Sequence, residues 1–561
     1  MIRVERSGAT RPWFRPASPA TIEVELSADR PIQGWLQVEL LDLDRVIVRV
    51  DRPVRLSAGR SRRRVAVALP ATSRRGFGLR IEIADRNGAL LAAANAVVEA
   101  LDGWWQSPRH AAVTRFDEPA RTAAAVRALG DWHVTVVQDY DWMYRHYRYS
   151  APARNRLPGD AFIDSLGRRV SHAAVRAGVR EGHRRGIATL AYGSVYGAER
   201  EYVDRHPGER VFDEAGHPIS LGGTFYINDL RRNRPWRRRL LGEYAAAVRR
   251  FSFDGIHMDT YGPPHQAFDA DGERLDFATI YPGLIEDGAK AVAEARPSAK
   301  VLFNCVEGFP LDAVATASAA AIYLELWPPD ERYADLVHWI DRARRAGHGR
   351  AVVIAAYLSC LRTHGGDPAA RPGAAEAVVL LTSVIGAAGG YHHVLADGGR
   401  VLVEGYYPEA RPLRVAELAE LRAAWSFGAR YVHLMTDPAA VVEAIDGIEL
   451  DDAGGSPVPL SAEPREGAVW ARLTRLRNKT RVLQLVDLRA QPDDRWDALR
   501  SPATTAAKWR VRWSGAERLV AMSPWTDGGR AHLLRVEPDG GARLPEFRRW
   551  LVVVDRYAYV D

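Results

Sequence analysis

The chain has 561 residues, 47% of them hydrophobic and 26% charged, and this apolar content excludes global disorder. Its 77 basic residues exceed its 70 acidic residues only slightly and are spread along the chain, so no nucleic-acid partner is expected. Cys305 and Cys360 are the two cysteines, which excludes a disulfide framework and a cysteine-based metal site. We expect no cofactor and no metal.

Targeting features point to the cell interior. The first residues lack the apolar core of a signal peptide, and no apolar run is long enough for a transmembrane helix. We therefore expect no membrane partner and a cytoplasmic location, or secretion if a leader has been removed. The oligomeric state cannot be read from the sequence.

Residues 1–107 form the first predicted domain. Short alternating segments such as TIEVELS and RRVAVAL are separated by turn residues such as Asp29-Arg30-Pro31. Short strands at regular spacing with turn signals between them predict a β-sandwich.

Residues 108–434 have a different hydrophobic pattern, in which apolar runs of strand length alternate with segments of helical period. One such segment is expected to begin at an Asp330 N-cap. Continuous apolar strands joined by helices predict a parallel sheet, and eight of them favour a (β/α)₈ barrel. The eight predicted strands begin at His110, Trp132, Gly186, Phe253, Ala299, Ala320, Arg350 and Gly389, the last being the shortest. In residues 435–561 strand signals return and predict a second β-sandwich.

Polar and aromatic residues end several predicted barrel strands, where the catalytic residues of such barrels lie. Carboxylates on two different strands, flanked by aromatic rings and amides, suit glycoside hydrolysis. Asp259 ends the fourth strand, although it could instead cap a helix. Glu325 ends the sixth strand in an apolar setting that should raise its pKa, although it could instead form an ion pair with an arginine. Glu307 is a rival that the residues alone do not separate from Glu325.

Several segments together resemble glycoside hydrolase family 66, which contains dextranases and cycloisomaltooligosaccharide glucanotransferases. They are VVQDYDWMYRHY, LAYGSVYGAE, FDGIHMDTYG, VLFNCVEGF, YLELWPPDERYADLVHWI, VVIAAY and GGYHHVL, in this order. The resemblance covers most of the predicted barrel and implies an Ig-like N-terminal domain and a C-terminal β-sandwich.

The resemblance implies a retaining enzyme acting on α-1,6-glucosidic bonds, with Asp259 as nucleophile and Glu325, rather than Glu307, as general acid/base. It also implies sugar contacts, and the strand ends add further candidates. The full set of predicted substrate-binding residues is Tyr140, Asp141, Tyr144, Tyr192, His257, Asn304, Trp327, Tyr357 and His392.

The chain departs from the family pattern in places. Met258 replaces a glycine before the nucleophile, Leu324 replaces a threonine before the acid, and an acidic residue expected after GGYH is absent. No carbohydrate-binding insertion interrupts the barrel, which favours hydrolysis over cyclisation. Bulky Met258 and Tyr261 are expected to narrow the cleft.

We therefore predict an endo-type hydrolase of linear or cyclic isomaltooligosaccharides or of dextran. The alternative within this class is a transglycosylase or cyclising glucanotransferase on α-1,6-glucan. The alternative from another class is a non-catalytic carbohydrate-binding barrel.

Overall fold

The structure is a computed structural model, and it describes residues 2–362, 373–502, 508–557 and 559. The protein is multidomain and mostly β, with a curled ten-stranded sheet at its centre. In the described part of the chain, no helix has both the length and the apolar character needed to cross a membrane.

The N-terminal region consists of a three-stranded sheet and a five-stranded sheet. Alternate residues of their strands point inward, for example Ile22, Val24 and Leu26, and they join Val38 and Ile81 in one hydrophobic core. The strands are Ile2–Ala9, Trp13–Phe14, Pro19–Ala28, Ile32–Asp42, Arg45–Leu56, Gly59–Ala68, Arg75–Asp85 and Leu90–Ala100.

The central sheet holds the strands predicted for the middle of the chain. Consecutive strands pair in parallel, and most of their residues are buried, as continuous apolar runs require. Its strands are His110–Val113, Val136–Asp139, Ala188–Ser194, Gly255–Asp259, Lys300–Val306, Ala319–Glu325, Val352–Ala355, Tyr391–His392, Leu395–Ala396 and Arg400–Val401.

Residues 391–396 connect the two ends of this parallel series. Tyr391–His392 pair with the strand Val352–Ala355, and Leu395–Ala396, two residues later, pair in parallel with His110–Val113. The predicted eighth strand is therefore interrupted, and its two halves contact different neighbours.

Helices connect the central strands and pack against the sheet. Helix Pro235–Phe251, for example, buries Leu240, Tyr244 and Val248 at intervals of three to four residues. The helix predicted to start at Asp330 starts at Tyr333 instead. Its N-cap is Arg332, whose backbone N–H is bound by Asp335, while Asp330 accepts a hydrogen bond from Trp339. The α-helices are Pro119–Leu129, His172–Arg185, Arg200–Val203, Pro235–Phe251, Phe277–Ala295, Leu311–Val314, Tyr333–Ala346, Ala374–Ala387, Val415–Arg430 and Val432–Met435.

Three small antiparallel arrangements project from the loops that follow the central strands. They are Ala161–Ile163 with Arg169–Ser171, Gly197–Glu199 with Ser220–Leu221 and Phe225–Ile227, and Gln266–Phe268 with Arg274–Asp276. They stand on the edge of the sheet where the parallel strands end.

The C-terminal region has two sheets around a further core that includes Leu450, Leu485, Val511 and Val553. Their strands pair antiparallel, except that Leu460–Ser461 pairs in parallel with Val469–Arg475. Its strands are Val441–Glu443, Ile448–Asp451, Leu460–Ser461, Val469–Arg475, Arg481–Asp487, Arg510–Trp513, Leu519–Met522, His532–Leu533, Gly541–Arg543 and Trp550–Asp555.

Candidate active site

Asp259, Asn304 and Glu325 meet where three neighbouring parallel strands end. Asp259 and Glu325 are the last residues of their strands, and Asn304 lies on the strand between them. Because parallel strands end at the same edge of the sheet, these three side chains share one site. The next helix after Asp259 begins at Phe277 with Asp276 as its N-cap, so Asp259 does not serve as a helix cap.

The amide of Asn304 joins the two carboxylates. Its Nδ2 donates one hydrogen bond to Oδ1 of Asp259 at 2.7 Å and another to Oε2 of Glu325 at 2.7 Å. The two acceptor oxygens therefore cannot be farther apart than twice that distance.

Each carboxylate has at least one further donor. The Tyr192 hydroxyl donates to Oδ2 of Asp259 at 2.9 Å, and Trp327 Nε1 donates to Oε1 of Glu325 at 2.9 Å. Each of the four carboxylate oxygens thus has a donor. The donors that act on Glu325, which include the Tyr357 hydroxyl as well as Asn304 and Trp327, are neutral groups rather than an arginine.

The surroundings favour protonation of both acids. Removal from bulk water and the charge of Glu325 raise the pKa of Asp259, although the Asn304 and Tyr192 donors oppose this. Burial also raises the pKa of Glu325, against donors that include Asn304 and Trp327, and the charge of Glu307 adds to the increase. A pair of coupled carboxyls of this kind can hold one proton and one negative charge at the same time.

The carboxylates open into a cavity of about 650 Å³. Its floor is polar, and aromatic rings stand around it. The lining residues are Gln138, Tyr140, Asp141, His146, Leu166, Tyr192, Leu221, Phe225, Asp259, Thr260, Tyr261, Val306, Glu307, Glu325, Trp327, Gly405, Tyr406 and Tyr407. A larger crevice of about 830 Å³ lies between the N-terminal strands and the helix Val415–Arg430, and neither carboxylate lines it.

Four of the residues predicted to contact sugar line this cavity, namely Tyr140, Asp141, Tyr192 and Trp327. Asn304 does not, because it is only 1% exposed and lies behind the two carboxylates. In the structure Asn304 therefore contacts the two carboxylates and does not line the cavity, a placement that suits a positioning residue.

The other predicted sugar contacts lie outside the cavity, and each has a different reason. Tyr144 packs edge-on against Phe162. His392 points at the Thr382 hydroxyl and the Ala356 carbonyl, at 2.9 and 3.3 Å.

His257 and Tyr357 lie beneath the cavity floor. His257 is two residues before Asp259 on the same strand face, but its ring is 1% exposed and lies against Tyr323. Tyr357 lies behind Trp327, with ring centroids 5.3 Å apart. Met258 also fails to narrow the cleft, because it is buried beside Gly288, whereas Tyr261 does line the cavity.

Glu307, the rival acid, lines the cavity but is placed differently from Glu325. It follows the strand end in a left-handed conformation with φ 54°, and its backbone N–H donates to the carbonyl of Glu325 at 2.7 Å. Its side chain is exposed, and its charge acts on Glu325 from the cavity rim.

A cluster of charged side chains stands at one end of the cavity, and most of its members were not predicted. The backbone N–H of His146 donates to Oε1 of Glu199 at 2.9 Å, and the Nδ1 of His146 lies 3.2 Å from the same oxygen. Arg168 lies 3.3 Å from Asp141. Burial would lower the pKa of His146, but the bond and charge of Glu199 outweigh it and the pKa is raised. The sequence could have indicated two of these residues, because His146 lies in VVQDYDWMYRHY and Glu199 lies in LAYGSVYGAE, two of the segments that resemble the family.

The remaining wall residues come from loops. Leu166 and Phe225 stand on the small antiparallel arrangements, and Tyr406 and Tyr407 follow the last central strands. No periodic pattern marks such residues. Within the ranges that the structure describes, no group of three or more His, Cys, Asp or Glu side chains could hold a metal ion.

Asn304→Ala tests the positioning role. Losing the donor shared by both carboxylates should lower kcat by about 10²-fold and change KM little, because the amide does not reach the cavity. The measurement is steady-state kinetics on an isomaltooligosaccharide, with Asn228→Ala, which removes another buried amide, as a control for folding. A large rise in KM with unchanged kcat would restore the direct sugar contact.

Comparison with known proteins places the chain in a family. The model of glycosyl hydrolase family 66 matches residues 16–537. The chain belongs to this family and is an enzyme of the glycoside hydrolase type. Family membership favours the predicted enzyme over the non-catalytic alternative.

Two curated relatives illustrate the likeness. A cycloisomaltooligosaccharide glucanotransferase of Niallia circulans is 24% identical over 379 residues, which are 64% of this chain and 38% of the relative. A dextranase of Streptococcus salivarius is 22% identical over 395 residues, 60% of this chain and 47% of the relative. The matched part thus spans less than half the length of either relative.

A solved structure shares the fold. It is a Paenibacillus sp. cycloisomaltooligosaccharide glucanotransferase in complex with cycloisomaltoheptaose. The TM-score is 0.86 at 18% identity, and the match covers 99% of this chain and 100% of the solved one.

Proposed function

We propose that this protein is a retaining, endo-type glycoside hydrolase that cleaves α-1,6-glucosidic bonds in linear or cyclic isomaltooligosaccharides or in dextran. The observation that carries the proposal is the shared Asn304 amide, which keeps oxygens of Asp259 and Glu325 within twice 2.7 Å. Retaining enzymes have carboxyl groups about 5–5.5 Å apart, whereas inverting enzymes need room for a water between them.

In the first half-reaction, a carboxylate oxygen of Asp259 attacks C1 of the sugar while the bond from C1 to the glycosidic oxygen breaks. Glu325 gives its proton to that leaving oxygen. The product is a β-linked glucosyl ester on Asp259.

In the second half-reaction, Glu325 is a carboxylate and takes a proton from water. The water oxygen attacks C1, the ester bond to Asp259 breaks, and the sugar leaves as the α anomer. Tyr192 and Asn304 hold the carboxyl group of Asp259 in place through both steps.

The proposal includes the architecture around the site. We infer that the central sheet is a (β/α)₈ barrel whose eighth strand is the interrupted segment 391–396, since its two halves pair with the seventh and first parallel strands. The domain limits 1–107, 108–434 and 435–561 and the Ig-like character of the first domain belong to the same proposal.

The proposed α-1,6 linkage and the proposed substrates are based on what the relatives are named for. Those named above are a dextranase and two glucanotransferases, and one of the latter was solved with a cyclic ligand. A ring has no free end, so its cleavage requires an endo-acting cleft. Transglycosylation is the second candidate because two of these names are of transferases.

The deciding experiment follows products from dextran, linear isomaltooligosaccharides and cycloisomaltoheptaose. Proton NMR in the first minutes should show the new reducing ends as the α anomer, and Glu325→Gln should form none. Early β anomer would contradict retention. Products longer than the substrate would favour the transferase.

Substrate size gives a further prediction. We expect higher kcat/KM per cleavable bond on short or small cyclic isomaltooligosaccharides than on polymeric dextran, because the walls around the carboxylates enclose about 650 Å³. A cytoplasmic enzyme would meet only imported oligosaccharides, which agrees with this preference. A clear preference for high-molecular-mass dextran would contradict both.

Trp327 should act in two ways that substitutions can separate. Its ring lines the cavity and its Nε1 holds Glu325. Trp327→Ala should weaken substrate binding by about 1–3 kcal/mol, as expected for a lost aromatic platform. Trp327→Phe keeps a ring but no donor, so it should retain most of the binding and lose mainly kcat. Unchanged affinity in Trp327→Ala, measured by calorimetry in a Glu325→Gln background, would remove Trp327 from the binding surface.

A further inference from the structure

A row of buried hydroxyls runs from the cavity floor into the interior of the central sheet. The Tyr357 hydroxyl lies 2.9 Å from that of Tyr407, which lies 3.2 Å from that of Tyr323. Tyr323 in turn lies 2.7 Å from Nδ1 of His393. At the cavity end, the Tyr357 hydroxyl lies beside Glu325 and acts as a donor that lowers the pKa of this carboxyl. Glu325 is thus connected to a histidine that does not line the cavity.

His393 stands among other neutral rings. His110 lies 4.4 Å from it between ring centroids, and His257 lies 5.8 Å from His110. Burial, with these neighbours, holds the pKa of His393 well below its usual range, so its imidazole is neutral and carries a single N–H.

The position of that proton sets the direction of the whole row. In the described structure Nε2 of His393 has no hydrogen-bond partner, whereas Nδ1 faces the Tyr323 hydroxyl. Buried N–H groups without an acceptor are rarer than unpaired acceptors, so the proton belongs on Nδ1. Tyr323 then accepts from His393 and donates to Tyr407, Tyr407 donates to Tyr357, and Tyr357 donates to Glu325.

We propose that Tyr323 and His393 are positioning residues that orient this row of hydroxyls so that Tyr357 presents its hydrogen to the carboxylate of Glu325. This inference rests on the proposed role of Glu325 as acid/base. The row would matter most in the second half-reaction, when Glu325 must be an anion beside Asp259. Donors in a row strengthen one another, so the far end affects the near end.

Other titratable groups face the two ends of the row and stay unchanged in the test. Asp259, Glu307 and Tyr140 act on Glu325. His110, His257 and His392 act on His393.

The test uses the pH profile of kcat/KM on an isomaltooligosaccharide, whose alkaline limb reports the acid in the free enzyme. Tyr323→Phe and His393→Leu interrupt the row, so the alkaline limb should move up by about half a pH unit as Glu325 loses part of its donor. His393→Asn places an amide N–H near the Nδ1 position and should keep the limb close to that of the unmodified enzyme. Tyr333→Phe, another fully buried tyrosine outside the cavity, is the matched control and should not move it.

The outcomes separate this inference from the proposed function. If Glu325→Gln stays active on the same substrate, the proposed acid/base role fails. If Glu325→Gln is inactive but both interrupted variants, folded by circular dichroism, keep the alkaline limb of the control or move it down, only the row is overturned. The same conclusion follows if kcat/KM falls by the same factor at every pH and equally in His393→Leu and His393→Asn. Tyr323 and His393 would then contribute only to packing.

Discussion

Asp259→Ala should reduce kcat/KM on isomaltooligosaccharides by at least about 10³-fold, because it removes the carboxylate that would form the covalent intermediate. The fold should survive, since Asp259 ends its strand at the cavity and its partners are Tyr192 and Asn304. The measurement is single-turnover and steady-state kinetics. The matched control is Asp139→Asn, which changes a buried aspartate at the end of another central strand that does not line the cavity.

Azide identifies the role directly. In Asp259→Ala a small anion can enter from the face that the carboxylate left, so azide should restore turnover of an activated α-glucoside and give a β-glucosyl azide. Azide is not expected to change Asp139→Asn. An α-glucosyl azide from Asp259→Ala would exchange the roles of the two acids.

Stability should change in the opposite direction to activity. The pKa of Asp259 is raised in the folded protein, so its contribution to stability is present at low pH and is lost as pH rises through the folded value. Asp259→Asn removes the repulsion from Glu325, so its Tm at pH 8 should exceed that of the unmodified protein by about 1–3 °C. The difference should shrink toward pH 5, and an equal difference at both values would contradict the electrostatic cause.

Strand-end position was enough to predict which carboxylates lie together at the centre of the candidate site. Asp259 and Glu325 follow buried apolar runs, and Asn304 lies on the run between them, so a parallel sheet necessarily brings them to one edge. What the residues alone could not decide was Glu325 against Glu307. Both follow apolar strands, and only the chain direction after Val306, with Glu307 at φ 54°, turns one of them to the rim.

Prediction was weaker where side-chain direction depends on the curl of the sheet. Both His257 and Asp259 point to the same face of their strand, but only the last residue rises to the cavity, and His257 lies one layer below. His392 shares a strand end with His393, yet it points outward to a helix residue, Thr382. The two-residue period of a strand predicts on which face of the sheet a side chain lies. How near that side chain lies to the cavity can be read only from the tertiary structure.

Glu325→Ala should show the other half of the chemistry. Its kcat/KM on an isomaltooligosaccharide should fall by at least about 10³-fold, because the sugar leaving group then departs without a proton. An aryl glucoside with a leaving group of low pKa needs no such proton, so its first step should remain close to that of the unmodified enzyme. The intermediate should then accumulate, since no base activates water, and a burst of aryl product should precede a slow steady state.

Azide and the Glu307→Gln variant give two further tests of the role of Glu325. Azide needs no general base, so it should accelerate the slow step of Glu325→Ala and give an α-glucosyl azide through the intermediate on Asp259. Glu307→Gln is the control, because this acid lines the same cavity and its charge raises the pKa of Glu325. That variant should keep the natural reaction, show no burst, and move the alkaline limb of the pH profile down. If Glu307→Gln instead showed the burst and the azide response, the general acid would be Glu307.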